Sequence, residues 1–291
     1  MRVLYFGDPL GAVNLFQAGI NIVGLVHGRR GGPSWKALFQ HLRRCQTPMP
    51  RWMRPDLSNE LILRDLSATK PDLIVSCFYP ELIPLPILAL APGINVHPSD
   101  LPQWRGPDPI VHTLLSGQRD SAVCVHALTE ALDAGDIYLR KPVQIDPRDD
   151  AGRLSIRLEE LGASLITEVV VQWQTEGQLQ GTPQGQSITW APQLGDDWWE
   201  IDWHRSAVEV DRFIRAAYPH PGAYTGIGNE LLVIQKAHAT SAGRFDVLPA
   251  GTPFIRDNAV CIRCGEGAMA IQRLKLGRRQ LTGISFAQLL Q

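Results

Sequence analysis

Asn95, His97 and Asp136 are the residues of this chain whose types could together move an acyl group onto an amine. They supply an amide, an imidazole and a carboxylate from two segments: Gly93-Ile94-Asn95-Val96-His97-Pro98-Ser99-Asp100-Leu101-Pro102-Gln103-Trp104-Arg105-Gly106-Pro107 and Leu132-Asp133-Ala134-Gly135-Asp136-Ile137. A neutral amine attacking an acyl carbon makes a tetrahedral centre with negative charge on oxygen and positive charge on nitrogen. Asn95 and a protonated His97 could donate hydrogen bonds to that oxygen, a preorganised stabilisation that is often the largest catalytic contribution. Asp136 could hold His97 in its charged form, because a neighbouring carboxylate raises an imidazole pKa. It could also receive the surplus proton of the amine, directly or through a water.

These groups need elements to aim them. Asn95 and His97 are two positions apart, so a strand reaching through His97 points both to one face. Pro71-Asp72-Leu73-Ile74-Val75-Ser76-Cys77 is a short apolar run bounded by turn residues and reads as a buried strand, and Ile94 to Val96 reads as a second. Asp136 joins them through folding. Taken singly, Asn-x-His also suits a structural hydrogen-bonding pair at a strand end, and Leu-Asp-Ala-Gly-Asp suits an ordinary turn.

In combination and in this order, Asn95-Val96-His97, Ser99-Asp100-Leu101-Pro102-Gln103-Trp104-Arg105-Gly106 and Leu132-Asp133-Ala134-Gly135-Asp136 resemble the motifs of the 10-formyltetrahydrofolate-dependent formyltransferases. That family includes methionyl-tRNA formyltransferase, sugar-nucleotide N-formyltransferases and the formylation domains of peptide synthetases. The resemblance implies catalytic roles for Asn95, His97 and Asp136, 10-formyltetrahydrofolate as cosubstrate, and no metal. It extends to Met1-Arg2-Val3-Leu4-Tyr5-Phe6-Gly7 as an opening strand and turn, and to Asp202-Trp203-His204-Arg205-Ser206-Ala207 and Pro219-His220-Pro221-Gly222-Ala223-Tyr224-Thr225 as the start of a C-terminal domain. The second domain argues against the short glycinamide ribonucleotide formyltransferases, which end after the first.

The family builds part of its pterin pocket where this chain has Cys77-Phe78-Tyr79-Pro80-Glu81-Leu82-Ile83-Pro84. A pterin needs a flat apolar slot edged by backbone donors and acceptors. Phe78, Tyr79, Leu82 and Ile83 are the expected residues of one wall, and Leu132 and Asp133, in the Leu128 to Asp136 turn, those of the other. Phe78 and Leu82 equally suit core filling. Gly7-Asp8-Pro9-Leu10-Gly11 lacks the G-x-G-x-x-G spacing of a dinucleotide site and reads as a tight turn.

The fold class implied is α/β: a Rossmann-like domain with a parallel-rich sheet, then a small OB-like β-barrel domain. Val3 to Phe6 and Ile20 to Val26 read as strands with a short helix over Leu10 to Ala18 between them. Trp35, Leu38, Phe39 and Leu42 have helical spacing, as do Leu61, Leu63 and Leu66, and Ala151 to Val171 reads as a long helix covering the sheet. Alternation of this kind implies helices on the faces of a parallel sheet. The Gly177 to Gly185 stretch, rich in Gly, Gln, Thr and Pro, reads as interdomain linker. The division expected is a formyltransferase domain over 1–182, a linker over 183–200 and the C-terminal domain over 201–291. There Arg205 to Ala217 reads as a helix, with strands near Leu231 to Ala237 and Val260 to Arg263.

With 291 residues, 44% hydrophobic and 20% charged, the chain can bury two modest cores and has no disorder signature. A formal net charge of -1 gives no overall attraction to nucleic acid. The N-terminus enters at once into Val3 to Phe6, and no apolar run approaches the ~20 residues of a membrane span, so the expectation is a cytoplasmic protein without membrane contact. Five cysteines fit reduced thiols better than a disulfide framework. Cys261-Ile262-Arg263-Cys264 has zinc or redox spacing but lacks a second pair, and its setting alternates like a barrel strand, which favours a structural role.

The acceptor is the open part. The turn Gly7-Asp8-Pro9 departs from the Gly-Thr-Pro of the tRNA-specific members, His27 to Pro33 is short where they carry a basic insertion, and Asp108 replaces a small residue. Arg29, Arg30, Lys36, Arg43 and Arg44 form a basic cluster that suits either a solvated face or a few phosphates. The sequence therefore places a small-molecule amine first, whether amino sugar nucleotide, amino acid or biosynthetic intermediate. Methionyl-tRNA comes second and a non-catalytic folate-binding protein third. Nothing in the sequence sets the oligomeric state.

Overall fold

The computed structural model describes residues 1–28, 32–45, 49–227, 230–256 and 258–289. Arg29 and Arg30 of the basic cluster, and the side chain of Arg44, lie outside the described residues. The chain forms two compact units, one of Met1–Pro109, Asp120–Gln144 and Ile156–Ala191, the other of Ile110–Arg119, Ile145–Ser155 and Pro192–Gln291.

The first unit is built on β1 (Arg2–Gly7), α1 (Pro9–Gln17), β2 (Asn21–His27), α2 (Gly32–Cys45), β3 (Arg51–Met53), α3 (Glu60–Ala68), β4 (Leu73–Cys77), α4 (Leu85–Leu88) and β5 (Gly93–His97). Pro109 opens α5 (Pro109–Ser116), whose other residues belong to the second unit, and the first unit goes on with β6 (Asp120–Ala127), β7 (Ile137–Gln144) and, from Ile156, the 26-residue α6 (Ala151–Glu176). The seven strands form one sheet in the order β3-β2-β1-β4-β5-β6-β7. The first five run parallel; β6 and β7 are antiparallel additions.

Strand composition follows position. The central strands β1 and β4 are buried almost throughout, as expected of parallel strands covered on both faces. Leu4, Phe6 and Ile74 enter one core with Leu66 of α3 and Ile87 of α4. Edge strand β7 is largely exposed and accommodates Pro142, which central pairing would exclude. The turn after β1 is a helix start: the Asp8 side chain accepts from the Leu10 N–H at 2.7 Å and Pro9 opens α1. The glycine turn is thus spent on capping.

The second unit contains α7 (Ala207–Ala217), β8 (Ala223–Ile227), β9 (Glu230–Thr240), β10 (Pro253–Arg256), β11 (Ala259–Arg263), β12 (Ala268–Leu276), β13 (Arg279–Thr282) and α8 (Gly283–Leu289). Its strands pair antiparallel in the order β10-β11-β12-β9-β8, with β13 also on β12. A reciprocal capping box between Ser206 and Glu209 starts α7. Cys261 packs with Ala242, Phe254, Ala268 and Ala270, and Cys264 is equally buried, so both thiols fill core.

Candidate active site

Strand β5 is where the sheet changes direction, with parallel β4 on one side and antiparallel β6 on the other. Asn95 lies opposite His126 of β6. Its amide nitrogen is 3.2 Å from His126 Nε2. The other ring nitrogen, Nδ1, donates to the Ala127 carbonyl at 2.8 Å, so Nε2 is the nitrogen turned toward the Asn95 amide. His97 is 4% exposed, and its Nε2 donates to the Trp104 carbonyl at 2.8 Å. That bond engages one of the two ring nitrogens of His97.

The carboxylate beside His97 belongs to Asp133, where the sequence reading places Asp136. Asp133 Oδ2 lies 3.5 Å from His97 Nδ1 and accepts from the Gly106 N–H at 2.9 Å; Oδ1 lies 3.5 Å from His126 Nε2. Asp136 is exposed and takes part through its backbone, whose carbonyl accepts from Ala127 N–H at 2.9 Å to close the loop between β6 and β7. The physical reason is local. Asp133 adopts a left-handed conformation with φ 49°, which redirects its side chain relative to an extended residue. Gly135 follows because a Cβ there would collide with the Ala127 carbonyl.

Burial of this cluster also opposes the raised pKa that a neighbouring carboxylate would give His97. Burial pushes the His97 pKa down; the Asp133 carboxylate pushes it up, while the charges of His126 and Arg105 add to the downward push, and the net direction is below its ordinary value. For Asp133, burial pushes the pKa up, but hydrogen bonding and charge from His126, charge from His97 and the Gly106 N–H together hold the carboxyl below its usual range.

The segment read as linker is part of this unit over its first half. Thr182 and Ile137 exchange backbone hydrogen bonds of 2.9 and 2.8 Å. Trp104 N–H donates to Thr189 Oγ1 at 2.8 Å, Arg105 N–H to the Thr189 carbonyl at 3.0 Å, and Ala191 N–H to the Arg105 carbonyl at 2.7 Å. Gly106 permits the approach: with φ 123°, its added Cβ would fall 2.7 Å from the Ala191 carbonyl oxygen. Residues 182–191 thus strap the loop that carries Trp104 and Arg105.

The residues expected to line a pterin slot are dispersed in their surroundings. Phe78 follows β4 at the carboxyl edge of the sheet, with φ 54°, and its ring lies over Gly162 of α6. Tyr79 and Ile83 pack against the core beneath α3 and α4, Tyr79 meeting Phe6 edge-on at 5.4 Å. Leu82 is 73% exposed and Leu132 37%. Asp133 belongs with the imidazoles. His126 is the site residue sequence reasoning missed; the apolar run Ala122-Val123-Cys124-Val125 directly before it is the signal that could have marked a buried strand ending on it. Among the described residues no group of three or more His, Cys, Asp or Glu is placed to hold a metal.

Comparison with known proteins bears on the family of the chain. The family described as Formyl transferase matches residues 33–170, and Formyl transferase, C-terminal domain, matches residues 196–290. A methionyl-tRNA formyltransferase of Marinobacter nauticus is 30% identical over 288 residues, covering 95% of this chain and 92% of its own. An N-formyltransferase from Helicobacter canadensis, solved with folinic acid and dTDP-3-aminofucose, superposes with TM-score 0.69 at 15% identity over 94% of this chain and 99% of its own. HypX from Aquifex aeolicus in complex with tetrahydrofolic acid superposes with TM-score 0.64 at 20% identity, covering 100% of this chain and 47% of its own. With both domain matches and a near full-length relative, the chain belongs to the formyl transferase family.

Proposed function

We propose that this enzyme transfers the formyl group of 10-formyltetrahydrofolate to the amino group of methionyl-tRNA. The observation that carries the chemistry is the buried contact of Asp133 with His97, beside an Asn95 amide that faces His126. The acceptor assignment leans on the methionyl-tRNA formyltransferases that align along almost the whole chain.

The amine nitrogen attacks the formyl carbon, forming the new C–N bond and moving the carbonyl electron pair onto oxygen. The Asn95 amide, which lies against His126, supplies N–H groups of the kind that stabilise a developing oxyanion. The surplus proton on nitrogen passes, directly or through a water, to the Asp133–His97 pair. Collapse re-forms the carbonyl, breaks the bond to N10 of the folate, and returns that proton to N10. The hydrogen bonding and charge of His126, the charge of His97 and the Gly106 N–H favour the carboxylate form of Asp133 against its burial.

A second acceptor class, the primary amine of a small molecule such as an amino sugar nucleotide, is favoured by one observation: a net charge of -1 offers a polyanion no general attraction. The protein is taken to work in the cytoplasm; no described helix is long and apolar enough to cross a membrane. Transfer of radiolabelled formyl from 10-formyltetrahydrofolate to methionyl-tRNA, compared with nucleotide-linked amino sugars and free amino acids, separates the two. Our reading expects tRNA formylation that weakens steeply with added salt. Formylation of a small amine alone would replace it with the second.

A further inference from the structure

We infer that Gln184 is a positioning residue for formyl transfer, holding the two loops that grip His97 in register. The inference rests on the formyltransferase reading for its kinetic consequences, while its geometric content stands apart from it.

His97 is held from two sides. Its Nε2 donates to the Trp104 carbonyl, in the loop between β5 and α5, and its Nδ1 faces Asp133, in the loop between β6 and β7. Gln184, from the 182–191 strap, reaches both. Its amide nitrogen donates to the Asp133 carbonyl at 2.8 Å and to the Gly135 carbonyl at 2.7 Å. Its amide oxygen accepts from Arg105 Nη2 at 2.6 Å and Nε at 3.2 Å. Arg105, adjacent in sequence to Trp104, is buried to 8% exposure.

The bonding leaves no spare capacity. A primary amide has two N–H donors and an oxygen with two lone pairs, and each is used. The amide orientation is set by its partners, since the guanidinium only donates and backbone carbonyls only accept. Asp133 is a non-glycine residue in the left-handed region, a conformation that persists where the surroundings impose it. Gln184 supplies that constraint through the carbonyls of Asp133 itself and of Gly135. One side chain therefore couples the carbonyl at one edge of the imidazole to the carboxylate at the other.

The test replaces Gln184 with Met, which keeps length and removes both arms, in the full chain. Steady-state kinetics should show kcat reduced roughly ten- to hundredfold, with KM for 10-formyltetrahydrofolate within about threefold, as a small misplacement of catalytic groups does. A purely structural role would lower the melting temperature without that split. Independently of turnover, nitrogen-15 histidine NMR follows the titration of His97, identified by its loss in His97→Asn. The groups acting on it are Asp133, His126 and Arg105. Loosening the Asp133 turn should move the His97 midpoint lower than in the parent, because the one supporting carboxylate withdraws.

Should Gln184→Met fail to fold, Gln184→Asn is measured in the same way; it keeps the amide but is too short to span both arms. A folded variant with unchanged kcat and an unchanged His97 midpoint overturns the inference. A moved midpoint in a protein whose parent formylates no amine supports the positioning role and rejects the formyltransferase reading.

Discussion

Asp133 and Asp136 stand three residues apart in one turn and have opposite surroundings. Asp133 is buried between two imidazoles and receives the Gly106 N–H; Asp136 is exposed and contributes its backbone to the closure of the loop. The difference shows how one turn encloses one carboxylate among polar partners and leaves its near neighbour to solvent. The enclosure is made by several pieces: a left-handed backbone at Asp133, the Gly106 loop, and the strap behind both.

The contrast can be broken most severely at the imidazole. His97→Asn removes the partner that Asp133 faces while keeping a polar side chain, and turnover should fall by about a hundred- to ten-thousandfold, the range for a positioned acid or base. Stopped-turnover assays with 10-formyltetrahydrofolate check this. A rate within a few-fold of the parent would dissolve the buried pair as a catalytic unit.

A milder disruption acts on the turn. Gly135→Ala places a methyl group against the Ala127 carbonyl, so the loop must shift. Turnover should drop roughly tenfold or more through displacement of Asp133, accompanied by a lower melting temperature. An alanine variant that keeps both would mean that Asp133 is held without help from this close approach.

The smallest expected effect is on acid stability. The folded pKa of His97 lies below its reference of 6.5, so between the two values the unfolded chain binds more protons than the folded one. Stability should therefore decline as pH falls below about 6.5, and His97→Asn should flatten part of that decline. Asp133, with a depressed pKa, contributes stability that is lost only below its reference of 3.8, outside this window. Thermal melts of parent and variant between neutrality and mild acid measure the difference.

How much of the site could be read in advance follows the same division. Asn95 and His97 were legible because strand alternation sets direction, and the buried runs at β1 and β4 announce a parallel sheet. The long helix α6 and the helix α7 were legible from apolar spacing and, for α7, from Ser206 and Glu209. In the Asp133 turn, direction depends on the φ of individual residues, which spacing does not encode, and the more exposed carboxylate was chosen. The strap was read as linker because Gly, Pro and Gln carry no periodicity; its order comes from hydrogen bonds to residues up to 85 positions away. Strand β7 escaped because an exposed edge has no apolar alternation to display.

The account rests on Asp133 being the carboxylate that serves His97. Asp133→Asn and Asp136→Asn, measured side by side for single-turnover formyl transfer at saturating 10-formyltetrahydrofolate and methionyl-tRNA, test it directly, with small-amine acceptors substituted if those are the ones formylated. Asp133→Asn should slow transfer by about a hundredfold or more, while Asp136→Asn stays within about twofold of the parent. The reverse ranking would contradict the account, since it would assign the chemistry to the exposed carboxylate and leave the buried contact a structural one.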